Sequence, residues 1–286
     1  MKRFVAVVVT ACLVPLALSV GCANGEVSDS RLDKIVREVV QANAAIETTA
    51  FDLTLDSIME VQGDSDVSEV KVTGVGSGVV DSANETMHMT MTMVTAVPGQ
   101  DAIELPVEYY IVDGWMYMSM EVPGQSVQWM KMQMPDGMWE EQSQIQQQID
   151  LIRDAEELTH LGMQEVNGVQ CHVVKIVPDM ASVQQMVSQA QGQMSGLEGL
   201  DLSTMDPGQM IQSMSMTQYI AEESLLFMKT VQHMQLVITS DQMGMPEGEF
   251  ERITEEISTT MVFRDFNEAA TIQLPQGALA ATRIGL

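Results

Sequence analysis

Methionine recurs at every second residue in three stretches of this chain, and this spacing is the most informative chemical pattern in the sequence. The thioether side chain is flexible and polarisable, so it adapts to apolar surfaces of varied shape. A repeat of two predicts β-strands that carry their methionines on one face. We therefore expect an oily sheet face suited to an apolar ligand. The pattern contains ten residues: Met87, Met89, Met91, Met93, Met116, Met118, Met120, Met130, Met132 and Met134.

The side chains between these methionines are mostly polar, as the repeat requires if one strand face is apolar and the other is wet. Thr90, Thr92, Ser119, Lys131 and Gln133 are examples. From the repeat we predict nine ligand-contacting residues, eight methionines and one neighbouring tryptophan. They are Met89, Met91, Met93, Met116, Met118, Met120, Met130, Met132 and Trp115.

Two other interpretations of the methionines stay open. An apolar strand face is usually plain core, so the rows would serve packing alone in a structural or partner-binding lipoprotein. Thioethers also bind Cu(I), and His88 or His233 would then complete a copper site. Such a site needs a few converging sulfurs, whereas this chain spreads 26 methionines over its whole length. The dispersion favours lining or packing.

The N-terminus has the layout of a bacterial secretory signal. Two basic residues precede an apolar run, residues 4–18, which is too short to span a membrane comfortably. Cys22 then stands where a lipoprotein signal peptidase requires a cysteine, although residues 19–21 also fit an ordinary cleavage site. We predict a signal peptide at 1–21, lipidation of Cys22 and a tether at 22–30. The mature chain is then expected outside the cytoplasm, attached to the bacterial cell membrane by its lipid.

Acidic residues strongly outnumber basic ones, with 40 Asp and Glu against 13 Lys and Arg and a net charge of −27. Removal of the signal peptide takes away two basic residues and brings the charge to −29. This charge excludes nucleic acid as a partner, and membrane attachment must come from an acyl chain rather than from electrostatics. Four acidic doublets have the pattern of solvated faces rather than of catalytic pairs. They are Glu140-Glu141, Glu156-Glu157, Glu222-Glu223 and Glu255-Glu256.

The sequence contains no motif of an enzyme or of a cofactor site. The four histidines are scattered, and neither a Gly-x-Ser-x-Gly elbow nor a Walker loop occurs. Gly74, Gly76 and Gly78 lie within a strand pattern and predict a bend or bulge rather than a phosphate cradle. Cys171 is the one cysteine left once Cys22 is lipidated, and we expect a buried, unreactive thiol. We predict a non-enzymatic protein that uses no metal or cofactor.

The elements that position the methionines are predicted to be strands. Apolar residues at 32, 35, 36, 39 and 40 predict a first helix, and strand patterns then run from Thr49 to Met134. Pro98-Gly99 and Pro123-Gly124 lie in near-identical contexts and predict turns. These features indicate an antiparallel meander whose neighbouring strands place their methionines side by side.

The second half of the chain mixes helical and strand patterns. Isoleucines at 145, 149 and 152 predict a helix over 141–158, and a strand is predicted over 169–177 after an Asn-Gly turn. Residues 180–216 are rich in Met, Gln and Gly and predict a helix plus a mobile insertion, either a lid over the ligand or a loose surface excursion. Further strands are predicted over 225–239 and 251–263.

Together these elements predict an α+β fold in a single domain, residues 31–286. An open sheet cannot bury both faces alone, so we expect a curved antiparallel β-sheet, a half-barrel, with helices packed over its concave face. A cleft between helices and sheet would be lined by Met, Ile and Val.

Four short phrases resemble bacterial envelope lipoproteins and carriers of the LolA/LolB and LppX/LprG type. They are VDGWMY at 112–117, EVNGVQCHV at 165–173, FRDFN at 263–267 and IQLP at 272–275. The resemblance covers most of the chain from about residue 30. It implies a half-barrel closed by helices over a lipid-holding cavity, and a binder or carrier of an acylated molecule. The methionine density departs from that group, and the predicted anchor differs from soluble LolA itself.

Overall fold

The computed structural model describes residues 30–63, 67–120, 127–134, 139, 152, 155–181, 183, 210–240 and 251–284. The signal peptide, Cys22, the tether, the turn at Pro123-Gly124 and most of the 180–216 insertion lie outside these ranges. Within them the elements are α1 (Ser30–Ala44), β1 (Thr48–Gln62), β2 (Val67–Asp81), β3 (Thr86–Ala96), β4 (Ile103–Val112), β5 (Trp115–Met120), β6 (Gln128–Gln133), β7 (Ala155–Val166), β8 (Val169–Pro178), β9 (Ile211–Ala221), β10 (Phe227–Thr239), β11 (Arg252–Arg264), α2 (Gln276–Leu279) and β12 (Thr282–Arg283).

All the strands belong to one open, curved sheet in the order β12-β6-β5-β4-β3-β2-β1-β11-β10-β9-β8-β7. Neighbours pair antiparallel except at one end, where β12 runs parallel to β6. The order keeps sequence neighbours adjacent on both flanks, and β1 pairs with both β2 and β11 at the centre. The predicted fold class, a curved antiparallel half-barrel with helices, is confirmed.

Short turns join several of the strands, as the sequence predicted. Asp113 and Gly114 connect β4 to β5 with φ of 52° and 71°, and Asn167 and Gly168 connect β7 to β8 with φ of 49° and 82°. Two successive positive φ values define the type I′ turn that matches the twist of paired strands. At Pro98-Gly99, the amide of Gln100 donates to the carbonyl of Val97 at 3.1 Å. The predicted turns at Pro98-Gly99 and Asn167-Gly168 are confirmed.

The main hydrophobic cluster lies on one face of the sheet, which we call the inner face. In β1 the side chains of Phe51, Leu53 and Leu55 are buried on this face, while Asp52 and Thr54 are exposed on the other, outer face. This alternation is the reason that β1 forms a half-buried strand. Helix α1 contributes Val39 to the same cluster, with Val36 and Val40 packed beside it. The helical residues Ile152 and Val183 are buried there as well.

Asn43 fixes the end of α1 to the sheet. Its amide donates to the carbonyls of Val39 and Leu225, each at 2.8 Å, and its carbonyl oxygen accepts from the amide of Phe227 at 2.9 Å. All the polar atoms involved are buried or partly buried, so each bond satisfies a group that would otherwise be costly to desolvate. The contact joins α1 to the turn between β9 and β10.

The glycines of β2 have a different structural role from the one predicted. The pairing of β2 with β1 and β3 runs without a register shift, so the predicted bulge is wrong. The glycines instead allow close approach: a Cβ added to Gly76 would lie 2.4 Å from the carbonyl oxygen of Thr90, and one added to Gly78 would lie 2.4 Å from Cζ of Phe51. Bare backbone in β2 lets its neighbours pack directly over the strand.

Two predictions in the second half of the chain are wrong at their ends. Residues 155–158, assigned to a helix, open strand β7, because Leu158 pairs with Ile176 of β8. Ile152 itself is helical and buried, and the other two isoleucines of the pattern lie outside the described residues. Residues 211–216, assigned to the insertion, belong to β9 within the sheet. In both places cross-strand pairing overrides a helical or loop-like local sequence.

Candidate functional site

The methionines of β3 lie on the inner face and are fully covered. Met87, Met89, Met91 and Met93 expose 8%, 3%, 4% and 4% of their surfaces and belong to the main cluster. They face Val80, Gly78, Gly76 and Gly74 of β2, where the absence of side chains leaves room for the thioethers. In this structure the β3 row is core, as the packing interpretation proposed for it.

The methionines of β5 and β6 lie on the same face but are only half-buried. Met116 pairs across the strands with Met132, and Met118 pairs with Met130. Met118 packs against the main cluster, whereas Met116, Met130 and Met132 are half-buried without belonging to a described cluster. We call these four residues the methionine patch. The backbone of Met120 continues this face opposite Val107, and its side chain lies outside the described residues.

Tyr109 connects the patch to the core. It pairs with Met89 on one side and with Met118 on the other, so a phenol lies between the covered and the half-covered thioethers. Burial raises the pKa of the Tyr109 phenol above its usual range. The side chain therefore stays neutral and supplies a hydroxyl group beside the thioethers.

The outer face of the same strands carries an aromatic cluster. Tyr110 and Tyr117 are buried there with Ala278 and Ala281, and Trp115, Trp129, Ile272 and Leu274 pack against them. The C-terminal segment therefore covers this side of the sheet. Trp115 alternates with Met116 along β5 and points to the opposite side. Its predicted place in the ligand-binding lining is corrected by this geometry, and it is not part of the methionine patch.

His88 also lies on the outer face, where it contacts two neighbours. Its Nε2 is 3.2 Å from Oε1 of Glu108, and its ring stacks on Tyr110 with centroids 4.3 Å apart. The Tyr110 hydroxyl donates to the same Glu108 oxygen at 2.7 Å. Burial, together with that hydrogen bond, raises the pKa of Tyr110.

The alternative interpretation as a copper site requires His88 or His233 to lie beside the methionine rows. The strand registers place both histidines on the face opposite the methionines. His88 alternates with Met87 and Met89 along β3. His233 alternates with the buried Met234 along β10 and is exposed. Both imidazoles therefore point away from the inner face. In the described ranges, moreover, no three His, Cys, Asp or Glu side chains are grouped so that they could hold a metal ion.

The inner face also contains a buried carboxyl group that was not predicted from the sequence. Glu255 exposes only 1% of its surface, and its Oε1 accepts a hydrogen bond from Ser57 at 2.6 Å. Its Oε2 is buried and has no hydrogen-bond partner. Burial raises the pKa of this carboxyl group, against a smaller opposite effect of Ser57. The prediction of a solvated Glu255-Glu256 doublet is therefore wrong for Glu255. Its position between Ile253 and Ile257 in the strand alternation could have predicted that it shares their buried face.

Cys171 behaves as predicted. It is buried, it is free, and its thiol donates to the carbonyl of Val169 at 3.4 Å. Burial raises the pKa of the thiol, so the reactive thiolate is disfavoured.

In the part of the chain that the structure describes, no helix is both long enough and apolar enough to cross a membrane.

Comparison with known proteins identifies the family. The family described as "Family of unknown function (DUF6612)" matches residues 31–283. The chain belongs to this family. Among curated proteins, none matches the sequence.

Several solved structures share parts of the architecture of this DUF6612 protein at low sequence identity. LprF from Mycobacterium bovis is 9% identical over 86% of this chain and 98% of that one, with a TM-score of 0.42. The lipoprotein LppX from Mycobacterium tuberculosis is 13% identical over 86% and 100%, with a TM-score of 0.38. A LolA superfamily protein from Nitrosomonas europaea is 8% identical over 85% and 94%, with a TM-score of 0.23.

Proposed function

We propose that this DUF6612 protein is a membrane-anchored lipoprotein outside the cytoplasm that holds an apolar or acylated ligand against its methionine patch. The observation that carries the proposal is the half-burial of Met116, Met118, Met130 and Met132 on the inner face. Among the described residues, the main cluster covers this face over β3 and the central strands and contacts the patch at Met118. A ligand would complete the cover at the patch.

The chemistry of the patch suits an acyl chain. Thioether side chains rearrange easily and keep good contact with partners of different shape. Each buried methylene group contributes about 0.8 kcal/mol, so an acyl segment of ten carbons contributes roughly 8 kcal/mol when it is fully covered. Tyr109 adds one neutral hydroxyl group beside the patch, which would hydrogen-bond an ester or hydroxyl oxygen of such a ligand.

A neutral fluorescent probe tests the proposal without interference from the acidic surface. Mature protein with Cys22→Ser, purified without detergent, is titrated with Nile red, and a long-chain monoacylglycerol then competes for the site. The triple variant M116Q/M130Q/M132Q should weaken probe binding at least about tenfold, equivalent to 1.4 kcal/mol, because polar amides replace the apolar contacts. Native mass spectrometry of the unsubstituted protein should also show co-purifying lipid.

The matched control carries one equally polar substitution on the outer face. Val75 is 66% exposed on β2, so Val75→Gln should leave Nile red binding unchanged. Equal binding by the wild type and the triple variant would contradict the patch as the site. Protein that is always empty and binds no probe would contradict the ligand-binding function as a whole.

The anchor is tested separately. Expression of the full chain in a bacterial host should yield membrane-bound protein whose N-terminal peptide carries lipid on Cys22. Cys22→Ala should release the protein into the soluble extracytoplasmic fraction. A membrane-bound C22A variant, or wild-type protein cleaved elsewhere and unlipidated, would contradict the anchor and leave the ligand proposal standing.

A further inference from the structure

Two imidazoles meet at the edge of the sheet farthest from the methionine patch. Nε2 of His160 on β7 lies 3.3 Å from Nδ1 of His172 on β8, with ring centroids 5.4 Å apart and ring planes at 55°. Strand β7 is one edge of the sheet, and β6 lies next to the other edge. The histidine pair therefore lies at the other end of the strand order from the methionine patch and shares no residue with it.

A β-bulge brings a thioether onto the same face as the two imidazoles. The register of β7 against β8 shifts between His160 and Gly162, so Leu161 is an extra residue. Without it, His160 and Met163 would point to opposite faces, because they are an odd number of residues apart. With it, His160 pairs with Val174 and Met163 pairs with His172. Gly162 has φ of 108°, a conformation that favours glycine.

Bulges often serve to redirect a side chain toward a functional position. Here the redirected side chain is Met163, whose Cβ lies about 5 Å from that of the opposing His172 in such cross-strand pairs. Met163 is 41% exposed, and His160 is exposed as well. The three potential ligands are thus on one face, with His160 and Met163 exposed and His172 half-buried.

The separation of the nitrogens fits a shared metal ion. Two imidazole nitrogens that each lie about 2.0 Å from one ion, at a tetrahedral angle, are about 3.3 Å apart. In the metal-free protein the same contact is a hydrogen bond in which one ring nitrogen donates to the other. For both nitrogens to bind one ion, the proton between them must move to the far nitrogen of its own ring, and both rings must turn their lone pairs toward a point beside the line that joins the nitrogens. The distance between the nitrogens need not change.

We propose that His160, His172 and Met163 form a copper site that takes Cu(I). Imidazole binds copper and zinc alike, and the soft thioether selects Cu(I). The ligands are neutral, and no third His, Cys, Asp or Glu joins the pair among the described residues, which disfavours hard cations such as Ca²⁺ and Mg²⁺. The net charge of −27 attracts cations to the surface in general.

Anaerobic titration with Cu(I) in competition with bicinchoninate tests the site in the mature chain. His160→Gln and His172→Gln should each remove one bound equivalent, with a loss of affinity of at least about 100-fold, since even changes to residues behind a ligand cost 10- to 100-fold. Met163→Leu should weaken Cu(I) binding at least about tenfold and leave Zn²⁺ binding unchanged. The control His233→Gln, an exposed histidine on β10, should behave as wild type.

Copper K-edge X-ray absorption of the wild type at one equivalent provides a readout that needs no variant. The expected spectrum contains two imidazole nitrogens and one sulfur, and the sulfur should disappear in M163L. A spectrum of sulfur ligands alone would place the ion in the methionine rows and overturn the proposal. Wild-type affinity in both histidine variants, or no Cu(I) held against the chelator by the wild type, would overturn it as well.

Discussion

The two methionine rows on the inner face have the same residue type and the same spacing, but they differ in what covers them. The row in β3 is closed over by the main cluster, to which α1, Ile152 and Val183 contribute. The methionine patch in β5 and β6 is left half-buried. On those strands it is the outer face that the chain covers, with its C-terminal segment.

The difference shows that a period-two pattern determines which side chains lie on the same face of the sheet. The elements that pack on that face determine whether it becomes buried core or an accessible binding surface. A covered methionine serves as an ordinary hydrophobic residue, while a half-covered one offers adaptable surface to a partner. The comparison therefore supports packing as the role of β3 and is consistent with the binding that we propose for the patch. Four experiments probe the covered and half-covered parts of the sheet, in order of decreasing effect.

Truncation of one methionine from each row should separate them most clearly. Met91→Ala removes a fully buried side chain and should lower the free energy of unfolding by about 3 kcal/mol, within the range for buried Met to Ala. Met132→Ala should lower it by less than about 1 kcal/mol, since the side chain is half-exposed. Urea denaturation of both variants measures the difference, and equal losses would mean that the two rows are packed alike.

Added volume over β2 tests how tightly the covered row is packed. Gly76→Ala places Cβ 2.4 Å from the backbone oxygen of Thr90, so the strands must move apart, at a cost of about 2 kcal/mol. Gly74→Ala is the control, because its nearest atoms, at 3.3 Å, are in the side chains of Leu55 and Met91 and can yield. A G76A protein as stable as G74A would contradict close packing at this point.

Loss of an outer aromatic side chain should destabilise the protein without affecting the ligand. Trp129→Ala removes a half-buried ring that packs on Tyr110 and α2, and we expect a loss of about 1 to 2 kcal/mol, less than for a fully buried tryptophan. Nile red affinity should stay at the wild-type value. If probe binding fell together with stability, the two faces would not be separate in function.

The smallest expected effect concerns Glu255. Its pKa is raised in the folded state, so the folded protein holds the proton more tightly than the unfolded chain, whose ordinary value is 4.5. Stability from this group is then present at low pH and is lost as pH rises from 4.5 through the folded pKa. Glu255→Gln should flatten this part of the profile measured by urea denaturation between pH 4.5 and 8. Parallel profiles for the two proteins would show that Glu255 is not perturbed.

The sequence predicted those features that follow from local periodicity. The alternation of Met87 to Met93 predicted a strand and its buried face. Asn167-Gly168 predicted a turn, because such a turn requires residues that tolerate positive φ. The pairing of β1 with β11 joins residues about 200 positions apart, and no local pattern encodes it. The burial of Glu255 depends on that pairing.

The candidate site was predicted in part for the same reason. Strand parity alone assigns Met116, Met118, Met130 and Met132 to one face and Trp115 to the other, so the error at Trp115 was avoidable. Two other features could not be predicted from the sequence. The β3 row is buried in the main cluster, to which α1 contributes, through tertiary contacts. His160 approaches His172 on a strand that contains an extra residue.

The short strand β12 has a consequence for self-association. Thr282 and Arg283 pair with Met130 and Lys131, and the amide of Ile284 donates to the Lys131 carbonyl at 2.9 Å. Strand β6 would otherwise present free backbone groups, a template onto which a second molecule could add its own strand. By pairing Thr282 and Arg283 with that edge, where Arg283 and Lys131 place two cations side by side, the chain hinders the addition of a foreign strand beside the methionine patch.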